Sequence, residues 1–222
     1  MNGKRASKQK GFTLVELAVV MVIIGILLGA ILQGQELINS ARGKRVLSDM
    51  KSMEALLWTF YDRRGTFPGD CDVDGLIGQD ITVSTNGSPN AADVLDNAAT
   101  DPTTIDCPGG ADDENTALAD MRVEQLLPFA VVNSQVGQHA ANGTMGFGFV
   151  THSGTASTRN AIVIYDIPQW MGEMIDTNID GEVNGTTGRI RYFLTQDEGA
   201  AWPARTATEL NVSVLYLFDK TF

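Results

Sequence analysis

From Phe12 to Leu32 the chain runs for 21 residues in which only Thr13 and Glu16 are clearly polar. A helix of that length rises about 32 Å, enough to cross a hydrocarbon core about 30 Å thick. Beyond Glu36 the pattern changes. Val46, Met50, Met53, Leu57 and Phe60 follow the 3.6-residue period, while Arg42, Lys44, Arg45, Asp49, Lys51 and Glu54 fall largely on other faces. The stripe reads as a packing face, and Gly65-Thr66-Phe67-Pro68-Gly69 closes the helix.

From Gly69 to Glu114 the chain is rich in Asp, Asn, Thr, Gly and Pro and reads as loop, with a short strand around Ile81–Val83 at most. A helix is expected from about Glu114 to Leu127, closed by Pro128, and a second, short one over Gln169–Ile175. Strands are expected at Gly143–Val150, Asn160–Asp166, Arg189–Thr195 and Asn211–Phe218, where aromatic and β-branched residues cluster between turns. One antiparallel sheet packed on the second half of the long helix satisfies this order. The fold class is α+β, divided into a basic N-terminal segment (1–11), a membrane-crossing helix (12–33), its amphipathic continuation (34–65) and a body (66–222).

Composition sharpens this division. A mean hydropathy of -0.03 over 222 residues suggests an ordinary soluble domain, but it averages an apolar stem with a body more polar than the mean. Lys4, Arg5, Lys8 and Lys10 precede the stem with no acid among them. They favour a cytoplasmic N-terminus with the body across the membrane. A net charge of -11 argues against nucleic acid as the main partner, because phosphate neutralisation needs concentrated Lys and Arg. A cleaved secretory signal fits poorly: the apolar core is longer than the usual 7–15 residues and runs into Gln33-Gly34-Gln35-Glu36 without a small-x-small exit.

Lys10-Gly11-Phe12-Thr13-Leu14-Val15-Glu16-Leu17 resembles the prepilin class, which comprises type IV pilins, type II secretion pseudopilins and their relatives. The close resemblance covers roughly the first 65 residues; the remainder matches only in general plan. It implies cleavage between Gly11 and Phe12 by the membrane-embedded prepilin peptidase, methylation of Phe12 by the same enzyme, and a role for Glu16 in meeting the terminal amine of a neighbouring subunit during assembly. It also implies a long helix packed on an antiparallel sheet, other pilin or pseudopilin subunits and an inner-membrane assembly platform as partners, and a single-pass address in the bacterial inner membrane, contacting lipid, or the cell surface after assembly. Loss of the leader would leave 12 basic groups against 27 acidic ones, a net charge of -15. Some family members carry a proline about two-thirds along the buried stem; Gln33-Gly34 stands there in this sequence.

Physics marks Glu16 independently, since a carboxylate at the centre of a membrane helix costs about 2.5–3.5 kcal/mol on insertion scales and is usually paired. An interfacial acid near the helix start is the plainer reading. Gly25 and Gly29 form a Gly-x-x-x-Gly spacing that permits close helix approach but also arises by chance in apolar helices.

The remaining candidate chemistry lies in the body. Cys71 and Cys107 flank the long loop, and outside the cytoplasm they are candidates for a disulfide, with two free thiols the alternative. Zinc is disfavoured, because His139 and His152 stand at no recognised ligand spacing. Asp70-Cys71-Asp72-Val73-Asp74-Gly75 has the opening of a calcium loop, with Ile81 where a bidentate Glu would close it and Asp80 beside that position. Asp176-Thr177-Asn178-Ile179-Asp180-Gly181 repeats the pattern without a closing acid, so Asp176, Asn178 and Asp180 form a second candidate set. Both stretches also suit ordinary turns. Motifs for serine hydrolysis, zinc proteolysis and phosphate-loop chemistry are absent, and His152-Ser153 is no triad. The expected function is a non-enzymatic filament subunit; the rival is a membrane-anchored calcium- or ligand-binding module that never polymerises.

Overall fold

The computed structural model describes residues 12–78, 81, 117–128, 137–151, 158–194, 197–204 and 210–218. The chain forms two compact units, Met1–Ala41 and Arg42–Phe222. Helix α1 (Leu14–Arg64) contributes its apolar part to the first and its amphipathic part to the second.

In the first unit every large apolar side chain of the stem is exposed, from Leu14 at 89% to Ile24 at 45%. α1 is the one helix among the described residues long and apolar enough to cross a membrane.

In the second unit the α1 residues that are buried are the predicted stripe, Val46, Met50, Met53, Leu57 and Phe60, joined by Gly43. The helix ends where expected: Gly65 takes φ +79 and its N–H bonds to the Tyr61 carbonyl, the left-handed closure that glycine adopts without steric cost. The stripe shares one core with the inner face of a five-stranded antiparallel sheet, including Met145, Phe147, Ile162, Ile164, Val212, Val214 and Tyr216. Strand order is β1-β2-β5-β3-β4, from β1 (Met145–Thr151), β2 (Thr158–Pro168), β3 (Ile190–Leu194), β4 (Asp197–Ala200) and β5 (Asn211–Leu217).

A polar clasp pins α1 to the sheet. The Tyr216 hydroxyl donates to Glu54 at 2.9 Å and accepts from Lys51 and Arg189. Lys51 Nζ and Arg189 Cζ lie 4.4 and 4.9 Å from the Tyr216 ring centroid. A fully buried hydroxyl is thereby satisfied by charge-assisted partners on the helix and on the residue preceding β3.

The outer face of the sheet is also buried: Val150, Ala161, Val163, Tyr165, Phe193, Leu215 and Leu217 form a second cluster with Ile81. Burial on both faces explains why β2 and β5 read as unbroken apolar runs rather than alternating ones.

Three sequence expectations need correction. Helix α2 (Ala117–Val123) stops short of Leu127, because Gln125 turns left-handed at φ +60 and the Leu126 and Leu127 N–H groups both return to the Met121 carbonyl. Helix α3 (Gln169–Asp180) runs five residues past Ile175 and ends on Gly181 at φ +85. Strand β4, composed of Asp-Glu-Gly-Ala, carried no strand signal and is set by its pairing with β3 at the sheet edge.

Candidate functional site

At the head of α1, Thr13 and Glu16 form a capping box. Glu16 Oε2 accepts from the Thr13 N–H and from Thr13 Oγ1, both at 2.9 Å, and Thr13 Oγ1 accepts the Glu16 N–H at 3.3 Å. A helix start leaves N–H groups unsatisfied, and this reciprocal pairing fills two of them. The Thr-x-x-Glu spacing was legible in the sequence, yet Thr13 had no assigned role there. Phe12 lies beside the pair, 88% exposed; Gly11 lies outside the described residues. Gly25, Gly29 and Gly34 have open space where a Cβ would stand, leaving the stem surface free for close approach by another helix.

The second candidate is the loop following α1. Asp70, Asp72 and Asp74 bring their carboxylate oxygens within 4.8 Å of one another, with Asp70 buried and the other two exposed. Two oxygens bound to one calcium at about 2.4 Å can stand up to about 4.8 Å apart, so an all-carboxylate donor set of this spread fits a hard cation. The loop's own N–H groups already use part of that capacity: Asp70 accepts from Asp74 and Gly75, Asp72 from Asp74, and Asp74 from Leu76. Burial, followed by the repulsion of Asp74, pushes the Asp70 pKa up against the pull of these N–H groups. Asp80 lies outside the described residues.

Sequence reasoning missed what anchors this loop. Asn160 of β2, fully buried, accepts the Ile77 N–H at 2.8 Å and donates to the Gly75 carbonyl at 2.8 Å. Asp120 of α2 accepts the Gly69 N–H at 2.9 Å. Cys71 carries no free thiol; Cys107 lies outside the described residues.

The third candidate set is not brought together. Because α3 extends to Asp180, its three polar groups are spread along a helix. Asp176 points into the core, where Oδ2 accepts from the Asn184 N–H at 2.8 Å and Trp202 Nε1 at 3.0 Å, and burial raises its pKa. Asp180 Oδ2 accepts the Arg189 and Ile190 N–H groups that open β3. Asn178 donates to the Met174 carbonyl. The motif is thus helix end, cap and strand anchor.

Residues 6–32 match the family model of the prokaryotic N-terminal methylation motif. That motif is the signature of type IV pilin and pseudopilin prepilins, a structural rather than enzymatic family, and its apolar helix fits membrane anchoring. No curated protein matches the chain, and no solved structure does.

Proposed function

We propose that the protein is a structural subunit of a type IV pilus or a type II secretion pseudopilus. Prepilin peptidase cuts between Gly11 and Phe12 and methylates Phe12, and the subunit then polymerises through its apolar helix with its body outside the cytoplasm. The carrying observation is the methylation motif over residues 6–32 heading a helix whose large apolar side chains are exposed along the stem from Leu14 to Ile38. In this reading the stem holds the subunit in the inner membrane, an assembly platform extracts it, and stems of neighbouring subunits replace lipid around it. Glu16 exchanges its Thr13 partner for the Phe12 amine of a neighbour, so the carboxylate stays paired when it leaves the interface. A Cys71–Cys107 bridge belongs to the same reading, closing the loop after α1 in an oxidising compartment. The reading is tested by the N-terminus of the chain recovered from the sheared filament fraction. A chain starting at N-methyl Phe12 is expected, and one retaining Met1 and confined to the membrane would mark a non-polymerising anchor.

Calcium at Asp70, Asp72 and Asp74 is a separable part of the proposal, supported by the convergence of three carboxylates. A ligand at a hundred times its Kd stabilises the native state by about 2.7 kcal/mol, so the melting temperature of the body is expected to rise in calcium and fall back in chelator. Coincident melting curves in the two would remove the ion from the account.

A further inference from the structure

His139 is a buried titratable side chain that none of the candidate sites uses, with 5% of its surface exposed. It sits in a small hairpin that leads into β1. Gln138 and Thr144 form an isolated antiparallel bridge, the His139 N–H bonds to the Gly143 carbonyl, and Asn142 turns left-handed at φ +67 to donate its N–H to the His139 carbonyl. The Met145 N–H returns to the Gly137 carbonyl, so the hairpin also occupies the outer edge of β1 at its first residue.

The imidazole reaches from this hairpin to an irregularity in the neighbouring strand. Pairing of β2 with β5 shifts register between Ile164 and Ile167, where Asp166 takes φ +58. The Tyr165 carbonyl beside that shift receives His139 Nε2 at 2.9 Å. On the other side of the ring, Nδ1 accepts the Ala141 N–H at 3.2 Å. This pair of partners defines the neutral Nε2–H tautomer, since a carbonyl can only accept and a backbone N–H can only donate. Gly143 makes room for the ring: a Cβ there would collide with the Tyr165 carbonyl and stand 2.6 Å from His139 Nε2.

We propose that His139 is a proton-released latch, neutral and closed at neutral pH, whose protonation in mild acid opens the Gly137–Thr144 hairpin and uncovers the outer edge of β1. A second ring proton on Nδ1 would face the Ala141 N–H, two donors in a buried site with no acceptor between them. The charged groups facing the ring are Asp49 of α1, itself paired with Arg45 at 3.0 Å, and Asp166 of β2, which accepts from Asn211. Both carboxylates and the Tyr165 carbonyl favour the imidazolium, but burial outweighs them and holds the pKa below the usual histidine value. The open hairpin, with an ordinary histidine near pH 6.5, therefore binds the proton better than the closed one. Latch stability is complete above that pH and falls as pH drops below it, the opening constant rising by at most about tenfold per pH unit.

Hydrogen exchange of the full chain in detergent, compared as protection factors at about pH 7.5 and about pH 5, tests this. The Ala141 and Met145 amides should lose about tenfold or more of their protection in acid, while the β2 and β5 amides keep theirs. His139→Gln, which retains a donor for the Tyr165 carbonyl and cannot take up a proton, should show the same protection at both pH values. Should that variant fail to fold, NMR of the wild-type ring decides: loss of protection must track protonation of His139. Protection unchanged in acid, an equal acid loss in His139→Gln, or a ring that protonates with the hairpin still closed would each overturn the latch.

Discussion

Glu16→Ala is expected to yield a chain that is cut, methylated and inserted normally but is nearly absent from filaments. Insertion should survive because it rests on the 21-residue apolar run, and removing an acid from it lowers the insertion cost. The capping box is lost as well, which costs about 1 kcal/mol of helix stability, too little to unfold a helix held in lipid. Docking is different. The substitution leaves a neighbour's terminal ammonium without its partner in an apolar bundle, and truncating one member of a buried charge pair costs about 2–5 kcal/mol, or more than about twentyfold in incorporation. Glu16→Gln separates the two roles, since Gln can complete the capping box with Thr13 but carries no charge. It should be about as defective as Ala. Quantifying the variants in sheared and membrane fractions checks this; normal incorporation of either would remove Glu16 from docking.

The largest stability effect is expected at the other end of the same helix. Phe60 is 2% exposed, lies in the last turns of α1 and belongs to the core shared with the inner sheet face. Phe60→Ala should cost the body about 3–5 kcal/mol, combining lost burial with the cavity left behind, a large fraction of the 5–15 kcal/mol typical of a domain. Denaturant titration followed by tryptophan fluorescence reads this directly, Trp58 and Trp202 both packing against the core. Leu28→Ala, on the exposed stem, should leave the midpoint of the body unmoved. A change below about 1 kcal/mol at Phe60 would mean that the second half of α1 is not integral to the body.

The helix face and the sheet were readable because their signals are local. Val46 to Phe60 repeat at helical spacing, Ala161–Tyr165 is β-branched or aromatic at all but its first residue, and Val212–Leu217 is apolar at all but Ser213. The signal failed where tertiary pairing overrides propensity. β4 is made of residues depleted in strands and exists through its bonds to β3. α3 outran its expected end because Asp176, which reads as a loop former, is buried with Asn184 and Trp202 as donors. The two acidic motifs, closely alike on paper, part in the same way: one curls into a loop with converging oxygens and the other lies along a helix. Asn160 and His139 were invisible as anchors, since each serves backbone groups distant in sequence, Gly75 and Ile77 for the first and Tyr165 for the second. At the N-terminus the reverse holds. The prepilin motif is contiguous and was legible, while residues 1–11 lie outside the described residues.

Intact-mass measurement with fragmentation of the N-terminus, on the chain isolated from the filament fraction, decides whether this protein is a processed filament subunit. A processed subunit begins at Phe12 and bears one N-methyl group, the first eleven residues and their four basic side chains removed. A chain that retains Met1 and never leaves the membrane fraction would contradict that role.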